Sequence, residues 1–285
     1  MGITPVTSPA NATLKRLRSL REKKYRRLEG LFLAEGLRIC TEALDAGWVP
    51  QILLFARSRG DHPLVRRLSQ ATLAGGGQVL EAAPVLIAGV TGKDNPQAVV
   101  AAYAPRRLAL DDLAPGPRTL VAEQLRDPGN LGTLLRACDA TGTGALILLD
   151  DSADPTSVEA VRASMGAFFT VPHVQATTTA FLDWKARHGA TLIGAALDPR
   201  ATDYRAASYT PPALILVGNE AQGLPEGLKS ACDSLVAIPM RGRADSLNVA
   251  MAGTLLLYEA LRVEEASAQR RPASMASMSS SERPK

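Results

Sequence analysis

Three short segments of this chain set reactive side chains beside glycines that let backbone come close to a ligand. The first is Asp127-Pro128-Gly129-Asn130-Leu131-Gly132-Thr133-Leu134-Leu135-Arg136. It leaves a predicted strand and enters a predicted helix, so Asn130 and Arg136 belong near the carboxyl edge of a sheet, where ligands bind in open α/β folds. The same residues also make an ordinary turn, with Asn130 as helix cap and Arg136 as a surface cation. The second, Leu216 to Leu224, ends a buried strand in a loop that holds one carboxylate, Glu220, between Gly218 and Gly223. Gly218 permits close backbone approach, although a plain connection with Glu220 in solvent has the same sequence. The third runs from Ile238, Pro239 and Met240 through the basic loop Arg241-Gly242-Arg243 to Ser246-Leu247-Asn248 and an apolar helix. A helix cap would account for Ser246 but not for the ensemble.

These segments need strands to carry them. Thr119 to Glu123, Ala145 to Leu149, Val171 to Val174, Thr191 to Ala195, Ala213 to Val217 and Leu235 to Ile238 read as strands. Helices are expected at Leu131 to Ala140, around Phe181 to Arg187, and from Leu247 to about Val263. Continuous apolar strands alternating with helices predict a mostly parallel sheet covered on both faces. Upstream, Leu28 to Trp48 has helical spacing, while Ile52 to Phe55 and Gln97 to Tyr103 read as short buried strands, which together make a small α/β domain. The expected division is a basic arm over 1–27, a small domain over 28–105, a Pro-containing linker over 106–117, a catalytic domain over 118–263 and a disordered tail over 264–285.

With 285 residues, two compact domains are expected. The net charge of +4 is uneven: Lys15, Arg16, Arg18, Arg21, Lys23, Lys24, Arg26 and Arg27 crowd one segment, which suits a polyanion or a solvated helix face. No apolar stretch is long enough to span a membrane, and three separated cysteines, Cys40, Cys138 and Cys232, point to a reducing cytoplasm. His62, His173 and His188 have no metal-ligand spacing, so no metal site is expected. Gly223 is followed by Leu224 and Pro225 rather than the Lys and Ser/Thr of a P-loop. Only Gly129 and Gly132 stand where a dinucleotide fingerprint needs three glycines, and no nucleophile elbow occurs.

Taken together, in this order and at these separations, the three segments resemble the three motifs of the SpoU branch of the SPOUT methyltransferases. The resemblance covers roughly Thr119 to Arg262, and Phe32 to Gly36 with Asn95-Pro96-Gln97 is similar to the small substrate-binding domain that often precedes it. It implies an α/β fold: a C-terminal trefoil-knotted SPOUT domain, with the knot at about Leu214 to Ala250, preceded by a small α/β RNA-binding domain. It implies S-adenosylmethionine as methyl donor, lined by Gly218, Ile238, Met240 and Leu247. It implies transfer to a ribose 2′-hydroxyl of structured RNA, with rRNA favoured over tRNA because a separate N-terminal domain is present. By the same resemblance Arg136 is the central catalytic residue, supported by Asn130, Glu220, Ser246 and Asn248. A guanidinium is almost never deprotonated in water, which makes holding an RNA phosphate an easier role for Arg136 than acting as base, and Glu220 could accept the proton instead. RNA contacts are expected from Lys15, Arg16, Arg18, Lys23, Lys24, Arg26, Arg27, Arg241 and Arg243, and the family implies a homodimer. Asn219 stands where the family often has serine, and Cys138 where it often has alanine. The rival readings are a tRNA methyltransferase, a non-catalytic RNA-binding protein that keeps the fold, and an ordinary Rossmann enzyme; the intact motifs oppose the last two.

Overall fold

The structure is a computed structural model and describes residues 2–269. The N-terminal unit comprises β1 (Thr4–Val6), α1 (Ala12–Ser19), α2 (Lys23–Glu29), β2 (Phe32–Glu35), α3 (Leu37–Asp45), β3 (Ile52–Ala56), α4 (Pro63–Ala74), β4 (Gln78–Ala82), α5 (Pro84–Thr91) and β5 (Val99–Tyr103). Its sheet has the order β1-β4-β3-β5-β2, and β5 runs antiparallel to both of its neighbours. The basic N-terminal segment is therefore not an arm. Strand β1 pairs with β4, and Leu14, Leu17 and Leu20 are buried in the core beneath this sheet. Those leucines, three residues apart, make α1 amphipathic, so its cations mark the wet side of a packed helix.

The helix expected across Leu28 to Trp48 is interrupted. Gly30 (φ +61°) closes α2 in a left-handed cap, and the apolar run that follows becomes the fully buried strand β2 before α3 begins. Periodicity cannot separate a short buried strand from a buried helical turn.

The C-terminal unit comprises β6 (Arg118–Glu123), α6 (Pro128–Thr141), β7 (Leu146–Leu149), α7 (Val158–Ala163), α8 (Ala167–Thr170), β8 (His173–Ala176), α9 (Thr178–His188), β9 (Thr191–Ala195), β10 (Thr202–Asp203), β11 (Ala213–Val217), α10 (Glu226–Ala231), β12 (Ser234–Ala237) and α11 (Val249–Gln269). Its sheet is parallel throughout, in the order β10-β12-β9-β11-β6-β7-β8. Leu120 and Ala122 of β6 face Leu131, Leu134 and Leu256 of α6 and α11, whereas Val121 faces the cluster of Phe181 and Trp184. Both faces are thus covered, as continuous apolar strands require. Strand β8 begins two residues later than expected because Val171 closes α8. Helix α11 extends past Val263, and Arg118 pairs with Glu264, so the expected tail begins as helix; 270–285 lie outside the described residues.

The two units share one core. Phe32, Trp48 and Tyr103 meet Phe168 and Phe169, with ring centroids 4.9 Å apart for Phe32 and Phe168, and Trp48 Nε1 donates to the Phe169 carbonyl at 3.0 Å. Arg26 and Asp154 form an ion pair at 2.7 Å across the same junction.

Candidate active site

Four loops converge at the carboxyl edge of the parallel sheet, after β6, β9, β11 and β12. Helix α6 starts at once after the β6 loop because Asp127, not Asn130, is its cap: the Asp127 carboxylate accepts the Asn130 N–H at 2.7 Å, and Pro128 occupies the first turn. The Asn130 side chain is thereby left free. Gly132, one turn into α6, lies where an added Cβ would be 2.5 Å from the Ala160 carbonyl, so only glycine allows α6 and α7 to pack this closely.

The freed amide joins a relay. Asn248 Nδ2 donates to Asn130 Oδ1 at 2.9 Å, and Asn130 Nδ2 donates to Glu220 Oε1 at 3.0 Å. A carboxylate only accepts, which fixes how both amides are turned. Glu220 also accepts from the backbone N–H groups of Arg126 (3.3 Å) and Asp127 (3.4 Å). Its partial burial alone would raise the carboxyl, but the hydrogen bonds from Asn130 and from backbone donors outweigh that and hold it below the usual carboxylate range. Asn248 has a second task, since its Oδ1 accepts from Ala250 N at 2.9 Å and so caps α11.

Beside the relay opens a cleft of about 530 Å³. Gly218, Ile238, Met240 and Leu247 all line it, together with Glu220, Ser246 and Asn248. Gly218 is required by contact: an added Cβ would stand 2.4 Å from the backbone carbon of Gly223. The volume and the mixture of apolar walls with a few polar groups suit a small-molecule site. Ser246 lies on the rim without a hydrogen bond among the described residues.

Arg136 is not brought to this cluster. Six residues advance a helix by about 9 Å and turn it by about 600°, so Arg136 emerges on another flank of α6 than Asn130. It is exposed and lines a separate groove with Arg38, Glu42, Asp139 and Thr170, making no ion pair among the described residues.

Of the expected RNA contacts, Lys15, Arg18, Lys23, Lys24, Arg27, Arg241 and Arg243 are exposed. Arg16 is paired with Glu29 at 2.7 Å. Arg26 is only 7% exposed and is spent on Asp154 and on the carbonyls of Leu20 and Arg21, so it is a structural residue rather than a surface contact.

Asn219 went unrecognised as a working residue. Its Nδ2 donates to the Gln124 carbonyl at 2.8 Å, and its Oδ1 accepts from Ala221 N and Gln222 N, bracing the loop that carries Glu220. Gln124 sits at φ +42°, so this bond also holds a strained turn at the end of β6. Lys229 and Leu197 of the cleft wall carry no sequence signal of their own.

Comparison with known proteins identifies the family. Residues 117–258 match the SpoU rRNA Methylase family, and residues 11–101 match the MRM3-like substrate binding domain. The chain is similar to the 23S rRNA (guanosine(2553)-2'-O)-methyltransferase RlmP of Bacillus subtilis, at 30% identity over 89% of this chain and 97% of the relative. It is similar to the 23S rRNA (uridine(2479)-2'-O)-methyltransferase of Streptomyces viridochromogenes at 31% identity, over 88% of this chain and 90% of that one. Among solved structures, the AdoMet-bound rRNA methyltransferase from Sinorhizobium meliloti superposes with a TM-score of 0.85 at 39% identity, over 91% of this chain and 98% of that one. Motifs that meet around one cleft and a likeness that runs nearly end to end place this chain in the SpoU rRNA methylase family.

Proposed function

We propose that this protein methylates a ribose 2′-hydroxyl of ribosomal RNA with S-adenosylmethionine as donor. The observation that carries the reading is the Asn248–Asn130–Glu220 relay on the rim of the cleft, built from all three motifs. Relatives named as 23S rRNA 2'-O-methyltransferases support rRNA over tRNA. The cleft fits the cofactor: Gly218 leaves room for it against backbone, and Ile238, Met240 and Leu247 give an apolar wall for an adenine. When bound, S-adenosylmethionine supplies a methyl group on a positively charged sulfur.

The residues of this chain then have alignment and proton handling to provide. Glu220, ionised at neutral pH, stands ready to accept the hydroxyl proton, and Asn130 with Asn248 fixes its orientation. Arg136, exposed and unpaired among the described residues, holds a phosphate of the RNA. Ser246 on the rim, Arg241 and Arg243 complete the RNA side. The expected knot, over about Leu214 to Ala250, would carry Gly218, Glu220, Ile238, Met240, Leu247 and Asn248 together. A homodimer is supported by Met251 (61% exposed), Leu255 (41%) and Tyr258 (50%), which form an apolar stripe at helical spacing on α11. No helix among the described residues is long and apolar enough to cross a membrane, and an rRNA substrate supports a cytoplasmic site of action.

The test is transfer of labelled methyl groups to total RNA from a strain that lacks this gene, followed by nucleoside digestion and mapping. A 2′-O-methylated nucleoside in rRNA is expected. Label in tRNA alone moves the target, and cofactor binding without any transfer to mature or precursor RNA overturns the reading.

A further inference from the structure

A second cleft, about 390 Å³, lies between the two units, bounded by α2, the segment after β5 and the free edge of β8. Its only carboxylate, Asp154, is already neutralised by Arg26 at 2.7 Å. Lys23, Arg27, Arg106 and Arg107 remain on its walls, and none makes an ion pair among the described residues. Arg106 is held in place, donating to the Gly47 carbonyl at 2.6 Å and lying 4.2 Å over the Trp48 ring, with no other side-chain hydrogen bond among the described residues. Four uncompensated cations converging on one groove repel each other, and a polyanion seated between them would relieve that cost.

One wall of the groove is tied to the loop that starts the relay helix. Leu125 N donates to Ser152 Oγ at 3.1 Å and Ala153 N donates to the Leu125 carbonyl, which ties the loop bearing Asp154 to the loop bearing Asp127. Strand β8 stands two strands from β6, about 10 Å away.

We infer that this interdomain groove is the seat of a single-stranded segment of the RNA substrate, gripped through its phosphates by Lys23, Arg27, Arg106 and Arg107. Arg106 and Arg107 lie in the connecting segment outside both matched family regions. A cleft of about 390 Å³ has room for a single strand and not for a duplex, so the segment held there is unpaired. The inference rests on the RNA-methylating reading above for its partner.

Binding of a short fluorescein-labelled oligouridylate, followed by anisotropy across a salt series, tests the groove without requiring methyl transfer. Each phosphate contact on a single strand contributes a slope of about 0.7 in log K against log salt, so Arg27→Gln with Arg107→Gln should weaken binding and reduce the slope by about 1.4. The doubly substituted Arg27→Lys, Arg107→Lys protein should regain the slope. Arg66→Gln with Arg67→Gln on α4, an equal change of charge elsewhere, should leave it unaltered. An unchanged slope in the groove variant, an equal loss in the α4 variant, or equal affinity for polyglutamate overturns the inference. Methyl transfer to 23S rRNA transcripts is assayed alongside: if it is absent while the slopes change as stated, the groove stands and the methyltransferase reading falls.

Discussion

At the scale of single residues, the relay assigns unlike tasks to residues that a motif lists side by side. Glu220→Gln keeps the size of the side chain but removes the charge, and should lower methyl transfer about 100-fold or more while cofactor affinity, read by calorimetry, stays near its original value. The hydrogen bonds that hold the Glu220 carboxyl below its ordinary value also set a sign for pH. The group stays ionised above its ordinary range near 4.3, and its contribution to activity and stability is lost only as pH falls through the depressed folded value. A pH profile of the rate should therefore show no loss attributable to Glu220 between pH 7 and pH 5; a fall in that window that disappears in Glu220→Gln would contradict it. Arg136 predicts the same split between transfer and cofactor affinity for a different reason. Standing apart from the cleft, Arg136→Ala should abolish transfer with cofactor affinity unchanged, and Arg136→Lys should restore part of it, because an ammonium still attracts a phosphate but cannot grip it with two N–H groups.

Among the elements, helix starts position the chemistry. Asn248 caps α11 through Oδ1 and feeds Asn130 through Nδ2, so the two roles can be separated. Asn248→Ala should cost about 1 kcal/mol of stability together with activity. Asn248→Asp keeps an accepting oxygen for the cap and loses the donor, so its melting temperature should stay near that of the parent while its activity falls. Melting curves and rates on the two variants decide this; equal damage to both properties in Asn248→Asp would mean that the relay is only structural. At the end of β11, Gly218→Ala would drive a methyl group into the Gly223 backbone, displacing the loop, and should weaken S-adenosylmethionine binding more than it alters the fold.

For the whole molecule, the junction between the units is a packed core rather than a hinge. Arg26→Ala leaves Asp154 without its cation in a mostly buried setting and should cost about 3 kcal/mol, visible in denaturant unfolding. Asp154 is subject to burial, which raises its carboxyl, but Thr156 and Arg26 outweigh it and hold the group low, so the pair stabilises above the ordinary carboxylate value and is lost as pH falls through the lowered one. Tyr258→Arg places a charge in the apolar stripe of α11 and should turn the proposed dimer into monomers in sedimentation; a sedimentation profile identical to that of the parent would remove α11 from the proposed interface.

The parallel sheet was legible because its strands are short, continuous apolar runs separated by turn residues. Thr191–Ala195 and Ala213–Val217 have the bounds expected of them. The N-terminal region was less so: Leu14, Leu17 and Leu20 were hidden among cations, and β2 carries a run that fits helix or strand equally. Of the residues named from the motifs, Gly218, Glu220, Ile238, Met240, Leu247 and Asn248 line one cleft, whereas Arg136 lines another groove. What the sequence by itself determined is therefore which segments lie at the carboxyl edge, because hydrophobic pattern and turn chemistry act locally. Which side chains touch was decided only by the tertiary structure. Asn130 meets Asn248 across 118 positions and Glu220 across 90, Arg136 turns away on the helix that carries Asn130, and Arg26 is drawn inside by Asp154. Such contacts depend on the angles at which packed elements cross and on competition among charges for partners, and neither is encoded in any one segment of the chain.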